Sequence, residues 1–138
     1  MTSYLLDTDI VSDLVRNPLG RAAARIADVG EDKICTSIIV ACKLRYGAAK
    51  KGSTRLAAQV DAVLDVIRIL NFEPDADQRY GTLRTQLETA GTVIGANDML
   101  IAAHALSIGA TLVTGNEREF SRVKGLHLEN WLRPAEGG

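Results

Sequence analysis

Apolar positions in this chain fall into short runs that alternate with longer stretches of helical spacing. Tyr4-Leu5-Leu6 stops at Asp7 and predicts a short buried strand. Ile10 to Val15 predicts a short helix closed by Asn17-Pro18, and the alanine-rich segment Arg21 to Val29 a second one ending at Gly30. A second strand is expected over Lys33 to Thr36. Ser37 is placed to cap a helix running to about Lys51, where Gly52-Ser53 breaks it and caps the next, Thr54 to Leu64. Val66 to Phe72 alternates as a third strand. Asp75 to Ala90 reads as a long helix ended by Gly91, and Asn97 is placed to cap another from Asp98 to Ile108, ended by Gly109. Ala110 to Thr114 and Leu126 to Leu128 supply a fourth and a fifth strand. Strands separated by helices imply a parallel sheet covered on both faces, hence a doubly wound α/β sandwich.

The 138 residues give room for one such domain, over 1–134, with 135–138 expected as a flexible end. No repeat or linker interrupts it. Charge is balanced, 16 Lys and Arg against 17 Asp and Glu, so bulk electrostatics does not mark a polyanion binder. Aromatic residues make up only 4%, too few for a base-stacking sheet. If nucleic acid is the partner, a local patch or a metal must hold it. Cys35 and Cys42 lack histidines at ligand spacing and read as small buried hydrophobes of a reducing compartment. No leader or membrane-spanning run is visible, which points to a soluble, cytoplasmic protein.

The acids collect at predictable places. Asp7 ends the first strand, while Asn116, Glu117 and Glu119 follow the fourth. Both groups therefore belong at the carboxyl edge of the sheet, where doubly wound folds bind their ligands. Asp98 lies in a first helical turn, where it also complements the helix dipole. Carboxylates converging there with no base nearby in sequence suggest a hard divalent cation such as Mg²⁺, or Mn²⁺ in its place. Glu117 and Glu119 read equally well as a solvated loop. His104, on an apolar helix, is expected to be a satisfied core residue with no catalytic part.

Four stretches taken together carry a family likeness. Tyr4-Leu5-Leu6-Asp7-Thr8-Asp9, Leu44-Arg45-Tyr46-Gly47, Ile94 to Ala105 around Asn97-Asp98, and Thr114-Gly115-Asn116-Glu117-Arg118-Glu119-Phe120 resemble the PIN-domain ribonucleases. Within that family the likeness is to the toxins of VapBC-type toxin–antitoxin pairs. The resemblance implies a five-stranded PIN sandwich, Mg²⁺-dependent cleavage of RNA and a cognate antitoxin protein as partner. It implies that Asp7 and Asp98 bind the metal, that Asn116 with Glu119 completes the site, and that Thr8, Asp9 and Thr114 support it. A homodimer is expected from the base rate for oligomers and from apolar stripes on Arg21 to Ala27 and Thr54 to Leu64.

One departure stands out. Family members carry a glutamate in the third helix just before the Tyr-Gly pair, and here Lys43 takes that place. Ile39, Cys42, Tyr46 and Gly47 predict an inward helical face that Lys43 shares with Ile39. A lysine so placed either snorkels to solvent or becomes the counter-charge of the acids. Replacing a −1 ligand by a +1 group removes an oxygen donor and repels the metal, at about 4 kcal/mol per pair of unit charges 4 Å apart in an effective dielectric of 20. Impaired catalysis is therefore expected, whether Lys43 disarms a toxic nuclease or marks a variant that uses another acid. Arg45, Lys50, Lys51 and Arg55 offer a phosphate patch or merely a solvated face. The rival from another class is a non-catalytic module that binds the antitoxin or regulates. A phosphorelay receiver fails because no aspartate ends the third strand.

Overall fold

The computed structural model describes residues 3–134, so the expected C-terminal end at 135–138 lies outside the described residues. Five short strands form one sheet: β1 (Tyr4–Leu6), β2 (Ile34–Ser37), β3 (Arg68–Leu70), β4 (Thr111–Val113) and β5 (Leu128–Glu129). Their order is β3-β2-β1-β4-β5 and every pairing is parallel. The helices are α1 (Thr8–Arg16), α2 (Arg21–Val29), α3 (Ile38–Lys51), α4 (Thr54–Val66), α5 (Ala76–Ala90), α6 (Ala96–Ile108) and α7 (Glu117–Phe120). The α/β sandwich expected from the pattern is the fold observed.

Strands this short hold because they are buried on both sides. Leu5, Leu6, Cys35, Leu112 and Val113 are fully excluded from solvent, and so are Ile101 to Ala103 of α6. Burying one such side chain contributes about 1.5–3 kcal/mol, which fixes the register. Leu6 pairs with Thr36 on one side and Val113 on the other. Thr36, buried with the rest, donates its hydroxyl to the Leu6 carbonyl at 2.7 Å.

Several boundaries differ from the pattern. Val66 belongs to α4 and is exposed, so β3 starts later than the alternation suggests. Helix α1 begins at Thr8, directly after Asp7, because the Asp7 carboxylate caps it. Helix α6 begins at Ala96 with Gly95 at its cap position, so Asn97 is a first-turn residue and caps nothing. Ser37 and Ser53 do cap α3 and α4, accepting from Ile39 N–H and Leu56 N–H at 3.1 Å each. Cys35 is buried as expected, but Cys42 is exposed.

Candidate active site at the switch point of the sheet

The chain runs from β1 outward to β2 and β3, then returns to place β4 on the other side of β1. The switch point is the gap between the ends of β1 and β4, and Asp7 sits in it. Its backbone N–H donates to the Val113 carbonyl at 2.9 Å, extending the β1–β4 ladder by one step. A buried carboxylate needs partners, and Asp7 (5% exposed) has them. Its Oδ1 accepts from Thr8 N–H at 2.7 Å and its Oδ2 from the Thr114 hydroxyl at 2.8 Å.

The turn after β4 is built onto the same anchor. Asn116 N–H donates to Thr114 Oγ1 at 3.0 Å, and Gly115 N–H donates to Asp9 Oδ2 at 2.8 Å. A Cβ on Gly115 would lie 2.6 Å from Asp9 Oδ2 and 3.0 Å from Leu132 Cδ1, so any side chain there would displace the Asp9 carboxylate. The second Asp9 oxygen is buried without a hydrogen-bond partner, and so is Thr8 Oγ1. Burial, then the charge of Asp7, raise the Asp9 pKa from 3.8. The Asn116 side-chain amide donates to Glu119 Oε2 at 2.9 Å, which aims Glu119 inward from α7.

Asp98 enters from the first turn of α6. Its pKa is pushed up from 3.8 to about 6, first by burial, then by a hydrogen bond it makes to Glu119 and by the charges of Asp7 and Glu119. Glu119 moves down, held by the Asn116 amide and by Asp98. The two carboxyl groups thus move in opposite directions, Asp98 up and Glu119 down. Opposing this is Lys43, whose Nζ lies 3.7 Å from Asp98 Oδ1. Its ammonium lowers the Asp98 pKa without overcoming the burial.

Lys43 and Glu119 therefore adjoin Asp98, Asp7 acts on Asp98 through its charge, Asn116 holds Glu119, and Thr8, Asp9 and Thr114 tie Asp7 to the turn after β4. Glu117 stands apart: its carboxylate turns away to Arg133 at 2.6 Å and to the Asn130 amide. The inward face of α3 also differs from the expected one. Val40, Ala41, Leu44 and Ala48 are buried, whereas Tyr46 is 67% exposed. Lys43 borders that face, with about a third of its side chain exposed, and reaches the acids from its edge. His104 is buried against Ser37 Oγ at 2.7 Å and edge-on to Phe72, the core role expected of it. Gly115 and the Ser37–His104 pair were legible only as types, since their roles come from contacts across the fold.

A hard dication asks for several oxygen donors. Among the described residues no three Asp, Glu, His or Cys side chains are grouped to hold a metal. Asp7 has a lone pair left on each oxygen, but the Asp98 carboxylate faces the Lys43 ammonium at 3.7 Å. These residues do not fit a firmly held Mg²⁺ or Mn²⁺.

Comparison with known proteins gives a consistent result. A family model described as "PIN domain" matches residues 4–126. The chain is 39% identical over 130 residues to "Ribonuclease VapC2" of Rickettsia felis, covering 93% of this chain and 97% of that protein. It is 33% identical over 132 residues to the "tRNA(fMet)-specific endonuclease VapC" of Shigella flexneri, covering 95% and 99%. In three dimensions it matches a chain of the crystal structure of VapBC2 from Rickettsia felis bound to a promoter DNA fragment, with TM-score 0.86, 35% identity and coverage of 94% and 99%.

Proposed function

This chain belongs to the PIN-domain family, among the VapC ribonucleases, and from that premise we propose that it is the toxin half of a toxin–antitoxin pair whose RNA-cleaving centre is disabled by Lys43. The observation that carries the second half is the 3.7 Å approach of Lys43 Nζ to Asp98. Cleaving a phosphodiester with water requires an anionic substrate to approach a cluster of acids. In an intact centre of this kind a bound dication supplies the counter-charge and a more acidic water. Lys43 supplies a counter-charge but no donor position for a dication. Asp7 keeps its hydrogen-bonded place at the end of β1, and Asn116 still orients Glu119, so the scaffold of the site is intact around one altered charge.

A cognate antitoxin is the proposed protein partner, and RNA of the transfer-RNA class the proposed substrate, by analogy with the relatives named above. Retained partner binding without cleavage is the second reading, favoured by the same ion pair. Lys43→Glu decides between a disabled nuclease and a protein that never cut RNA. With Mg²⁺ and a pool of transfer RNAs, the variant is expected to exceed the parent by roughly tenfold to hundredfold or more, the cost typical of a disturbed metal environment. Calorimetric titration with Mn²⁺ is expected to show binding to the variant alone. Equal cleavage by both proteins, or none by the variant, would refute the disabled-centre reading.

A further inference from the structure

Glu117, whose carboxylate turns away from the other acids, opens α7, a helix of four residues. A single turn makes too few backbone hydrogen bonds to hold its own direction, so the groups docked against it set where it points. Two of its side chains are anchored. Phe120 is fully buried in the core. Glu117 Oε2 accepts from Arg133 Nη2 at 2.6 Å and from Asn130 Nδ2 at 3.1 Å. Glu119 lies between these anchors, and residues two apart on a helix point to opposite sides. Holding Glu117 away from the acids therefore turns Glu119 towards them, where the Asn116 amide meets it at 2.9 Å.

The segment that receives Glu117 is itself fastened. After β5 the chain continues through 130–133 and is tied at successive residues. Trp131 is buried, its indole N–H donates to Glu129 Oε1 at 2.9 Å, and the Arg25 guanidinium of α2 lies 5.5 Å over its ring. Asn130 Oδ1 accepts from Leu132 N–H at 2.9 Å, and the Leu132 carbonyl accepts from Arg21 of α2 at 3.2 Å. Leu132 also reaches the turn before α7, 3.0 Å from where a Gly115 Cβ would stand. That turn is thus held by Asp7 and Asp9 through hydrogen bonds, and by the segment 130–133 through Leu132 and Glu117. We infer that residues 130–133 form a strap that keeps Glu119 aimed at Asp98, with Glu117 as the positioning residue through which it acts. An exposed ion pair stabilises a fold little, so what Arg133 and Asn130 supply to Glu117 is direction. The bearing of the strap on RNA cleavage rests on the nuclease reading above, whereas its hold on Asn116 and Glu119 does not.

The test reads the Asn116 side-chain amide by two-dimensional NMR in EDTA, where its hydrogen bond to Glu119 shifts its signals from those of a free amide. Glu117→Ala, which loses both bonds to the strap, is expected to move the signals towards the free-amide position and to speed exchange of Asn116 N–H about tenfold. Arg133→Ala, which loses one of them, is expected to move them less and in the same direction. Glu117→Gln keeps an oxygen that accepts from Asn130 and Arg133, and is expected to stay within about twofold of the parent. Glu88→Ala breaks another exposed ion pair, with Arg84 on α5, and is expected to leave Asn116 unmoved. Exchange of Asp7 N–H, bonded to the Val113 carbonyl, should match the parent in every variant, which shows that each is folded and that the loosening is local. In the Lys43→Glu background, Glu117→Ala is expected to lower kcat for RNA cleavage about tenfold at unchanged KM, short of the roughly hundredfold that a misplacement of about 1 Å costs. Parent-like Asn116 signals in Glu117→Ala or in Arg133→Ala overturn the inference. So do an equal disturbance by Glu88→Ala, a matching loss of Asp7 protection, or a Glu117→Gln that behaves like Glu117→Ala. Cleavage by Lys43→Glu with kcat unchanged by Glu117→Ala would sink the strap and leave the nuclease reading standing. A displaced Asn116 amide with an inert Lys43→Glu would do the reverse.

Discussion

Asp98 is a carboxyl group whose pKa is raised to about 6 against 3.8 for the free side chain. Because the folded value is raised, the folded state binds more protons than the unfolded chain between those two values. The stabilising contribution is complete below 3.8 and is lost as pH rises towards 6. Above that, the fold carries an ionised acid near Asp7 and Glu119 with only Lys43 to offset it. Asp98→Asn removes the cost of ionisation and keeps the shape. The urea midpoint of the variant is expected to exceed that of the parent at pH 8 and to converge with it at pH 4. A parent that is more stable than the variant at pH 8 would mean that the Lys43 ion pair outweighs burial. Reading the sequence locates Asp98 and Lys43 as candidates, because acid identity and strand ends suffice for that. It gives neither the raised pKa of Asp98 nor the unpartnered Asp9 oxygen, since both depend on desolvation by distant segments.

At the scale of elements, the acids are held in place by the junctions between strands and helices. Ser37 ends β2, caps α3 through Ile39 N–H, and meets His104 Nδ1 from α6. One hydroxyl therefore ties the helix carrying Lys43 to the helix carrying Asp98. Ser37→Ala removes a cap worth about 1 kcal/mol and leaves a buried imidazole nitrogen unpaired, a further loss of about 1–3 kcal/mol. A total destabilisation of roughly 2–4 kcal/mol is expected from urea unfolding at pH 7.5. A loss under 0.5 kcal/mol would show that the junction is not mechanically coupled. The serine cap is legible because capping is local chemistry. Its bond to a residue on a helix far along the chain is not, and neither is the inward face of α3. The first two turns of that helix are apolar nearly all round, so spacing alone chose Ile39 and Tyr46 where packing chose Val40, Leu44 and Ala48. Asn97 failed as a cap for a related reason: Gly95 leaves space for the Asp98 carboxylate beside it, and the helix starts there.

For the molecule as a whole, the parallel order of five strands follows from the alternation of buried runs and helices, and it decides where chemistry can occur. What the alternation leaves open is whether the hollow at the switch point is tuned for stability or for holding a cation, because these make opposite demands on position 43. A lysine partly neutralises Asp7, Asp98 and Glu119, which stabilises the metal-free fold. A glutamate adds one more negative charge to the cluster, and like charges converging on partly buried positions destabilise it. Lys43→Glu is therefore expected to unfold at lower temperature than the parent in EDTA at pH 7.5. A ligand that binds only the folded state at 100 times its Kd returns about 2.7 kcal/mol, so Mn²⁺ at that level should raise the variant above its own metal-free midpoint while leaving the parent unmoved. If the variant is no less stable without metal and gains nothing with it, position 43 does not share the field of the acids. The residue that separates a self-sufficient fold from one completed by a metal would then have to be sought elsewhere along the edge of the sheet.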